Sequence, residues 1–139
     1  MRKILIADMK YPDFALLVLR VGLGAAFMIL HGWGKISNPQ AWERLGSNMS
    51  NLGITFLPAF WGFMAAFTEF FGAAFLLLGL FTRPAAALLS FTMLVAMLKH
   101  LMAAEKYSYP LELMVVFSAI MFLGAGRYSL DHYLFSKNK

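Results

Sequence analysis

Residues 14–35 read FALLVLRVGLGAAFMILHGWGK, and this run decides the fold of the chain. It is long enough for a helix that crosses a bilayer, which needs about 20 apolar residues. On such a helix one stripe holds every charged or titratable group of the run, and its members are Arg20, Gly24, Phe27, His31 and Lys35. Because lipid cannot solvate these groups, we expect the stripe to face other helices or trapped water.

The composition indicates a membrane protein. Of 139 residues, 60% are hydrophobic and 14% are charged, whereas soluble domains have about 45–50% and about 25%. The length suits one domain of about four spanning helices. The formal charge of +5 is scattered without a basic tract, so we expect no nucleic-acid partner. The absence of cysteine excludes disulfides and thiolate metal sites in this chain.

We predict an all-α membrane protein, a four-transmembrane-helix bundle that forms a single domain over residues 1–139. The expected spans are about 14–33, 58–81, 84–103 and 109–123. Between the first two spans, apolar side chains recur at steps of three and four, at Trp42, Leu45, Met49 and Leu52. This pattern predicts a short amphipathic interfacial helix that Gly53 can end. Such a helix is either a plain linker or a lid over the mouth of the bundle.

The distribution of basic residues predicts the orientation. Seven fall on the side of the membrane that holds both termini and the turn between the second and third spans: Arg2, Lys3, Lys10, Arg83, Arg127, Lys137 and Lys139. Four fall on the other side: Lys35, Arg44, Lys99 and Lys106. The excess of Lys and Arg on cytoplasmic flanks therefore predicts that both termini are cytoplasmic.

Glu69 lies near the middle of the second span, on a face of small residues. A charge at that depth costs at least about 2.5–3.5 kcal/mol, so it requires a partner or a role. Arg20 is the expected partner, because at 1.5 Å per residue the two lie about 9 Å apart in depth on neighbouring antiparallel helices. The pair is either a structural lock that sets helix register or part of a ligand-binding or proton-linked site.

Other polar groups fall near the outer ends of the spans and predict a vestibule there. The candidate ligand-binding residues are Arg20, His31, Lys35, Glu69, His100 and Glu112. The alternative is that the outermost of them, with Lys99, reach water on their own. Two histidines are a weak signal for haem, and His31, His100 and Glu112 barely qualify as zinc ligands, so we expect neither haem nor metal. No catalytic residue can be assigned.

Several motifs resemble the DoxX family. Residues 19–35 read Leu-Arg-x-x-x-Gly-x-x-Phe-x-x-x-His-Gly-x-x-Lys, and Glu69 is followed by Gly72 and by Leu-Gly-Leu-Phe-Thr-Arg at 78–83. Glu112 and the sequence Gly-x-Gly-x-x-Ser-Leu-Asp at 124–131 complete the match. The resemblance extends over residues 14–131, nearly the whole chain.

The resemblance implies a small multi-pass protein of the bacterial inner membrane, with a link to quinone-dependent redox systems and to protein partners in a redox complex. Since the chain lacks cysteine and a flavin motif, we expect it to contribute an anchor or an intramembrane pocket for a quinone or another small apolar ligand, while a partner carries the electrons. Two alternatives stay open: a non-enzymatic scaffold for partner proteins, and a small proton-linked transporter that works as a homo-oligomer. Whether the chain is an enzyme stays open as well.

Overall fold

The computed structural model of the chain describes residues 11–136, where all regular elements are helical. The helices are α1 (Pro12–Ile36), α2 (Trp42–Gly46), α3 (Pro58–Leu78), α4 (Thr82–Met102), α5 (Ser108–Leu123) and α6 (Leu130–Phe135). Three of them, α1, α3 and α4, are long and apolar enough to cross a membrane, and α5 is a shorter apolar helix. Five of the basic residues that predict cytoplasmic termini lie outside the described residues: Arg2, Lys3, Lys10, Lys137 and Lys139.

The ends of the long helices follow from local chemistry. Proline occupies the first turn of both α1 and α3, where its missing N–H costs no hydrogen bond. Helix α3 ends at Leu78 and is followed by Gly79, whose φ of 68° suits glycine. Helix α4 begins two residues before its predicted start because the Asp131 carboxylate accepts hydrogen bonds from the backbone N–H groups of Phe81 and Thr82, at 2.7 and 2.9 Å.

Glycines bring α1 and α3 into close contact as antiparallel neighbours. A Cβ on Gly24 would lie 2.8 Å from the carbonyl oxygen of Ala73, and a Cβ on Gly32 would lie 2.7 Å from that of Glu69. Close approach of this kind is how membrane helices associate through small residues. Gly32 therefore marks the level of Glu69 along α1.

The remaining helices complete the bundle around one apolar core. Helix α4 packs against the second half of α3 on one side and along α5 on the other. The buried core side chains come from α1, α3, α4 and α5, and they include Phe27, Leu76, Leu89, Met93, Phe117 and Ile120. The hydroxyls of Ser90 and Ser118 lie 2.7 Å apart across the contact between α4 and α5.

The connecting segment, residues 39–52, is helical but irregular. Turns of 3-10 helix at Pro39–Ala41 and Ser47–Leu52 flank α2. Of the predicted apolar positions Met49 is buried, whereas Leu52 is exposed, and Gly53 ends the segment at a φ of 78°, as predicted. The segment packs on the first half of α3, and Ser47–Leu52 also contacts α4.

Both α1 and α3 contain one turn of π-helix, at Met28–Gly32 and Thr68–Gly72. The two turns pack against each other. A π turn inserts one extra residue into the helix and is common at functional sites. It changes which side chains face the neighbouring helix, and here it carries His31, Thr68 and Glu69.

Candidate functional site

A cavity of about 310 Å³ lies between α1, α3, α4, the connecting segment and the start of α5. Its volume is at the lower end of the range of small-molecule pockets, about 300–1,000 Å³. Much of the lining is apolar, including Phe27, Met49, Met64, Phe91, Met93 and Val95. Polar side chains also line it: His31, Lys35, Asn48, Thr68, Glu69, Thr92, Lys99, His100 and Tyr109. The cavity thus combines an apolar volume with a small set of hydrogen-bonding groups.

An ion pair between Lys35 and Glu69 is the central polar feature of the cavity. Lys35 Nζ donates to both carboxylate oxygens, at 2.7 Å to Oε1 and 2.5 Å to Oε2. The Glu69 side chain is 2% exposed and that of Lys35 is 36% exposed. The pair compensates the buried carboxylate, while an ammonium group has three donors and retains one for a further acceptor.

His31 and Tyr109 form a second pair on the cavity wall. The Tyr109 hydroxyl lies 2.7 Å from Nε2 of His31, and the tautomer of the imidazole decides which group donates. The charges of Glu69 and Lys35 both act on the His31 ring. Phe27 packs beside that ring, at 4.9 Å between ring centroids. The four polar groups of α1, α3 and α5 therefore form one cluster, which we call the head cluster: His31, Lys35, Glu69 and Tyr109.

Arg20 does not pair with Glu69, so that prediction is wrong. The Arg20 guanidinium is fully buried and donates to the backbone carbonyls of Leu76, at 3.3 Å, and Tyr128, at 2.7 Å. Its Nε atom has no partner among the described residues. Arg20 does not line the cavity and belongs instead to a contact between α1, the end of α3 and the segment after α5.

The error has a physical reason. The depth estimate assumed that neighbouring helices end at one level, but α1 extends past the end of α3. The C-terminal segment 124–135 fills the space beside this extension: Asp13 accepts a hydrogen bond from the backbone N–H of Arg127 at 3.0 Å, and Gly126 lies close to Leu16. Arg20 is therefore level with Leu76 and Gly79, which lie 7 and 10 residues, or about two to three helical turns, beyond Glu69.

The other candidate residues fall into two groups. His31, Lys35, Glu69 and His100 all line the cavity, as does Lys99. His100 also pairs with Glu105 at 2.7 Å. Glu112 does not line the cavity, because its side chain is on the exposed face of α5. Arg20 and Glu112 therefore do not belong to the cavity, contrary to the prediction.

Three functional or structural roles escaped the sequence analysis. Tyr109 is the first residue of the predicted span 109–123, and nothing in its local sequence indicates a hydrogen bond to His31. Thr68 is 5% exposed and lies on the cavity wall beside Glu69. Its position there depends on the π turn at Thr68–Gly72, which the sequence does not reveal. Asp131 appeared in a motif, but its role in capping α4 required the return of the chain after α5.

Among residues 11–136, no three His, Asp or Glu side chains are grouped so that they could hold a metal ion. The comparisons with known proteins give one finding on the family. The family model described as DoxX matches residues 15–102, well over half of the chain. No curated protein and no solved structure matches the chain.

Proposed function

We propose that this chain, a multi-pass membrane protein that belongs to the DoxX family, binds the head group of a quinone in the cavity between α1, α3 and α4. In this proposal α5 is the fourth span of a bundle in the bacterial inner membrane, with both termini cytoplasmic. The connecting segment lies at the opposite interface. The chain acts as a membrane subunit, and a redox partner of another chain exchanges electrons with the quinone.

One observation carries this proposal: a largely apolar cavity has hydrogen-bond donors grouped in the head cluster. A quinone ring is flat and apolar, and its carbonyl oxygens accept hydrogen bonds. Lys35 retains a free donor beside Glu69, and Tyr109 or His31 supplies a second one, according to the tautomer. These residue types therefore fit a quinone head group.

The head cluster also suits the proton chemistry of such a ligand. A quinone that receives two electrons takes up two protons, one on each oxygen. His31 can hold a proton and exchange it with the Tyr109 hydroxyl, 2.7 Å away. Tyr109 is 45% exposed and connects this pair to the surface. Glu69 orients Lys35 by accepting from the same ammonium with both oxygens.

Binding of quinones to the purified protein in lipid nanodiscs tests the proposal. We expect quenching of tryptophan fluorescence by a benzoquinone or a naphthoquinone, because Trp61 lines the cavity. Lys35→Met removes a donor and Glu69→Gln loosens its position, and each should weaken binding at least about tenfold, the cost of one or more hydrogen bonds to a charged group.

Glu112→Gln is the matched control, since the same chemical change occurs on the exposed face of α5. It should leave quinone binding within about twofold. If neither quinone class binds, or if Glu69→Gln and Glu112→Gln behave alike, the quinone site is wrong. Intact partner assembly in Glu69→Gln would then favour a scaffold, and pH-dependent uptake into vesicles that Glu69→Gln abolishes would favour a transporter.

A further inference from the structure

Partly exposed residues of two opposite kinds line the cavity. At the head cluster, Lys35 is 36% exposed and Tyr109 is 45% exposed, so polar groups meet the outside there. On the other side, Leu88 and Phe91 of α4 both line the cavity and are 51% and 46% exposed. These two apolar residues lie in the middle of a helix that is long and apolar enough to cross a membrane.

Helices α3 and α4 pack closely over only part of their length. The second half of α3, Thr68–Leu78, packs on α4, but near the first half of α3 the turn Ser47–Leu52 lies between the two helices. Beyond that turn the cavity is lined by Met64 and Ala65 on α3 and by Leu88, Phe91, Thr92, Met93 and Val95 on α4. The partly exposed Leu88 and Phe91 therefore border the gap between the two helices.

The connecting segment, residues 39–52, blocks access to the cavity on the side that it covers. Gly46 and Gly62 are in such close contact that a Cβ on either would lie 1.7 Å from a backbone oxygen of the other element. The Trp42 indole N–H also donates to the Lys35 carbonyl at 2.9 Å. Moving this segment as a lid would break a backbone-to-backbone contact and that hydrogen bond, whereas partly exposed apolar side chains border the gap between α3 and α4.

We infer that the cavity opens to the bilayer between α3 and α4 and that its ligand is an amphiphile whose long hydrocarbon chain leaves across Leu88 and Phe91. This inference rests on the proposed function for the head group and adds the class of ligand. A water-soluble ligand could not reach the cavity through an apolar opening in the middle of the membrane. A hydrocarbon chain that passes through such an opening stays in contact with lipid, so binding costs it no transfer into water.

Photolabelling from the lipid tests the opening without a quinone. The full chain is reconstituted in vesicles that contain a phospholipid with a diazirine on its acyl chain, and adducts are mapped by mass spectrometry. We expect adducts on Thr68, which is 5% exposed and on the cavity wall. Leu88→Trp should reduce them at least about fivefold by filling the opening. Leu101→Trp is the matched control, since Leu101 is 50% exposed on α4 outside the cavity lining.

The hydrocarbon chain is tested with a pair of quinones, a decyl-chain ubiquinone analogue and its tail-less parent. Affinities are expressed as mole fractions in the nanodisc lipid, so that partitioning cancels. Because the tail lies in hydrocarbon both before and after binding, it should leave the affinity within about twofold if the cavity opens to lipid. Leu88→Trp should weaken binding of the decyl-chain quinone at least about tenfold and change that of the tail-less parent by less than about twofold, whereas Leu101→Trp should change neither.

The outcomes separate the two proposals. Absence of Thr68 adducts, or equal effects of Leu88→Trp and Leu101→Trp, overturns the lateral opening, even if the tail-less quinone binds and requires Glu69. Conversely, adducts that only Leu88→Trp blocks establish an opening filled by hydrocarbon chains, even if no quinone binds and the head-group proposal fails. Thermal unfolding of both tryptophan variants verifies that each is folded.

Discussion

Removing one partner of the Lys35–Glu69 pair should have a cost that depends on which partner is removed. The Glu69 side chain is 2% exposed, whereas that of Lys35 is 36% exposed. Lys35→Met leaves a buried carboxylate without its two hydrogen bonds from Nζ. Glu69→Gln instead leaves an ammonium group that can extend towards water. We therefore expect Lys35→Met to be the more destabilising change.

The magnitudes follow from the burial of each group. Breaking a buried ion pair while one charge stays buried costs about 3–5 kcal/mol, and the partial exposure of Lys35 favours the lower end. We expect a loss in the free energy of unfolding of about 3 kcal/mol for Lys35→Met and about 1 kcal/mol for Glu69→Gln. The double variant carries no buried charge and should lose about 1.5 kcal/mol, which gives a coupling of about 2.5 kcal/mol.

Steric trapping in lipid bicelles measures these free energies for the full chain. Glu112→Gln serves as the control and should change the free energy of unfolding by less than about 0.5 kcal/mol, because its side chain is exposed. Equal losses for the two single variants, or a coupling below about 0.5 kcal/mol, would show that the ion pair does not hold the buried carboxylate.

Three further changes test the packing of the connecting segment and the polar contacts of Asp131 and Arg20. Gly46→Ala should destabilise the protein by at least about 2 kcal/mol, since its Cβ would meet a backbone oxygen at 1.7 Å. Gly34→Ala is the control: its Cβ would meet nothing within 4 Å, so it should stabilise the protein by up to about 1 kcal/mol, and thermal unfolding compares the two variants. Asp131→Ala should cost about 1–2 kcal/mol and speed proteolysis after α5, because the start of α4 loses its cap. In a double-mutant cycle, Arg20→Met and Glu69→Gln should be additive within about 0.5 kcal/mol, since they share no partner; a larger coupling would restore the pair that the structure excludes.

The helices were predictable because hydropathy and helix ends are local properties. The run at 14–35 and the apolar runs after Pro58 and Thr82 indicated helices whose observed ends differ from the predicted ones by a few residues. The inward stripe was also predictable, since Arg20, Gly24 and Phe27 are buried. A period of 3.6 residues is sufficient for such statements.

The partners of the charged groups were not predictable, because they depend on how far one helix slides along another. The stripe named both Arg20 and Lys35, and simple depth counting selected the wrong one for Glu69. The register is set by backbone contacts at Gly24 and Gly32, whose depth on α3 the sequence does not give. The π turns are a further obstacle, since no residue pattern marked them and each changes the facing side chains by one position.

Arg20 and the Lys35–Glu69 ion pair differ in what surrounds them. This difference distinguishes a structural role for Arg20 from a ligand-binding role for the ion pair. Arg20 donates to main-chain carbonyls in a contact where a Cβ on Gly79 would lie 2.3 Å from its Nη1, so no space for a ligand remains beside it. Lys35 and Glu69 border a cavity of about 310 Å³, and the Lys35 ammonium retains one N–H donor for a further acceptor. Loss of the Arg20 contact should therefore lower the amount of folded protein without changing the affinity per folded molecule. Changes in the head cluster should lower that affinity directly, so the two can be distinguished by normalising ligand binding to the folded fraction.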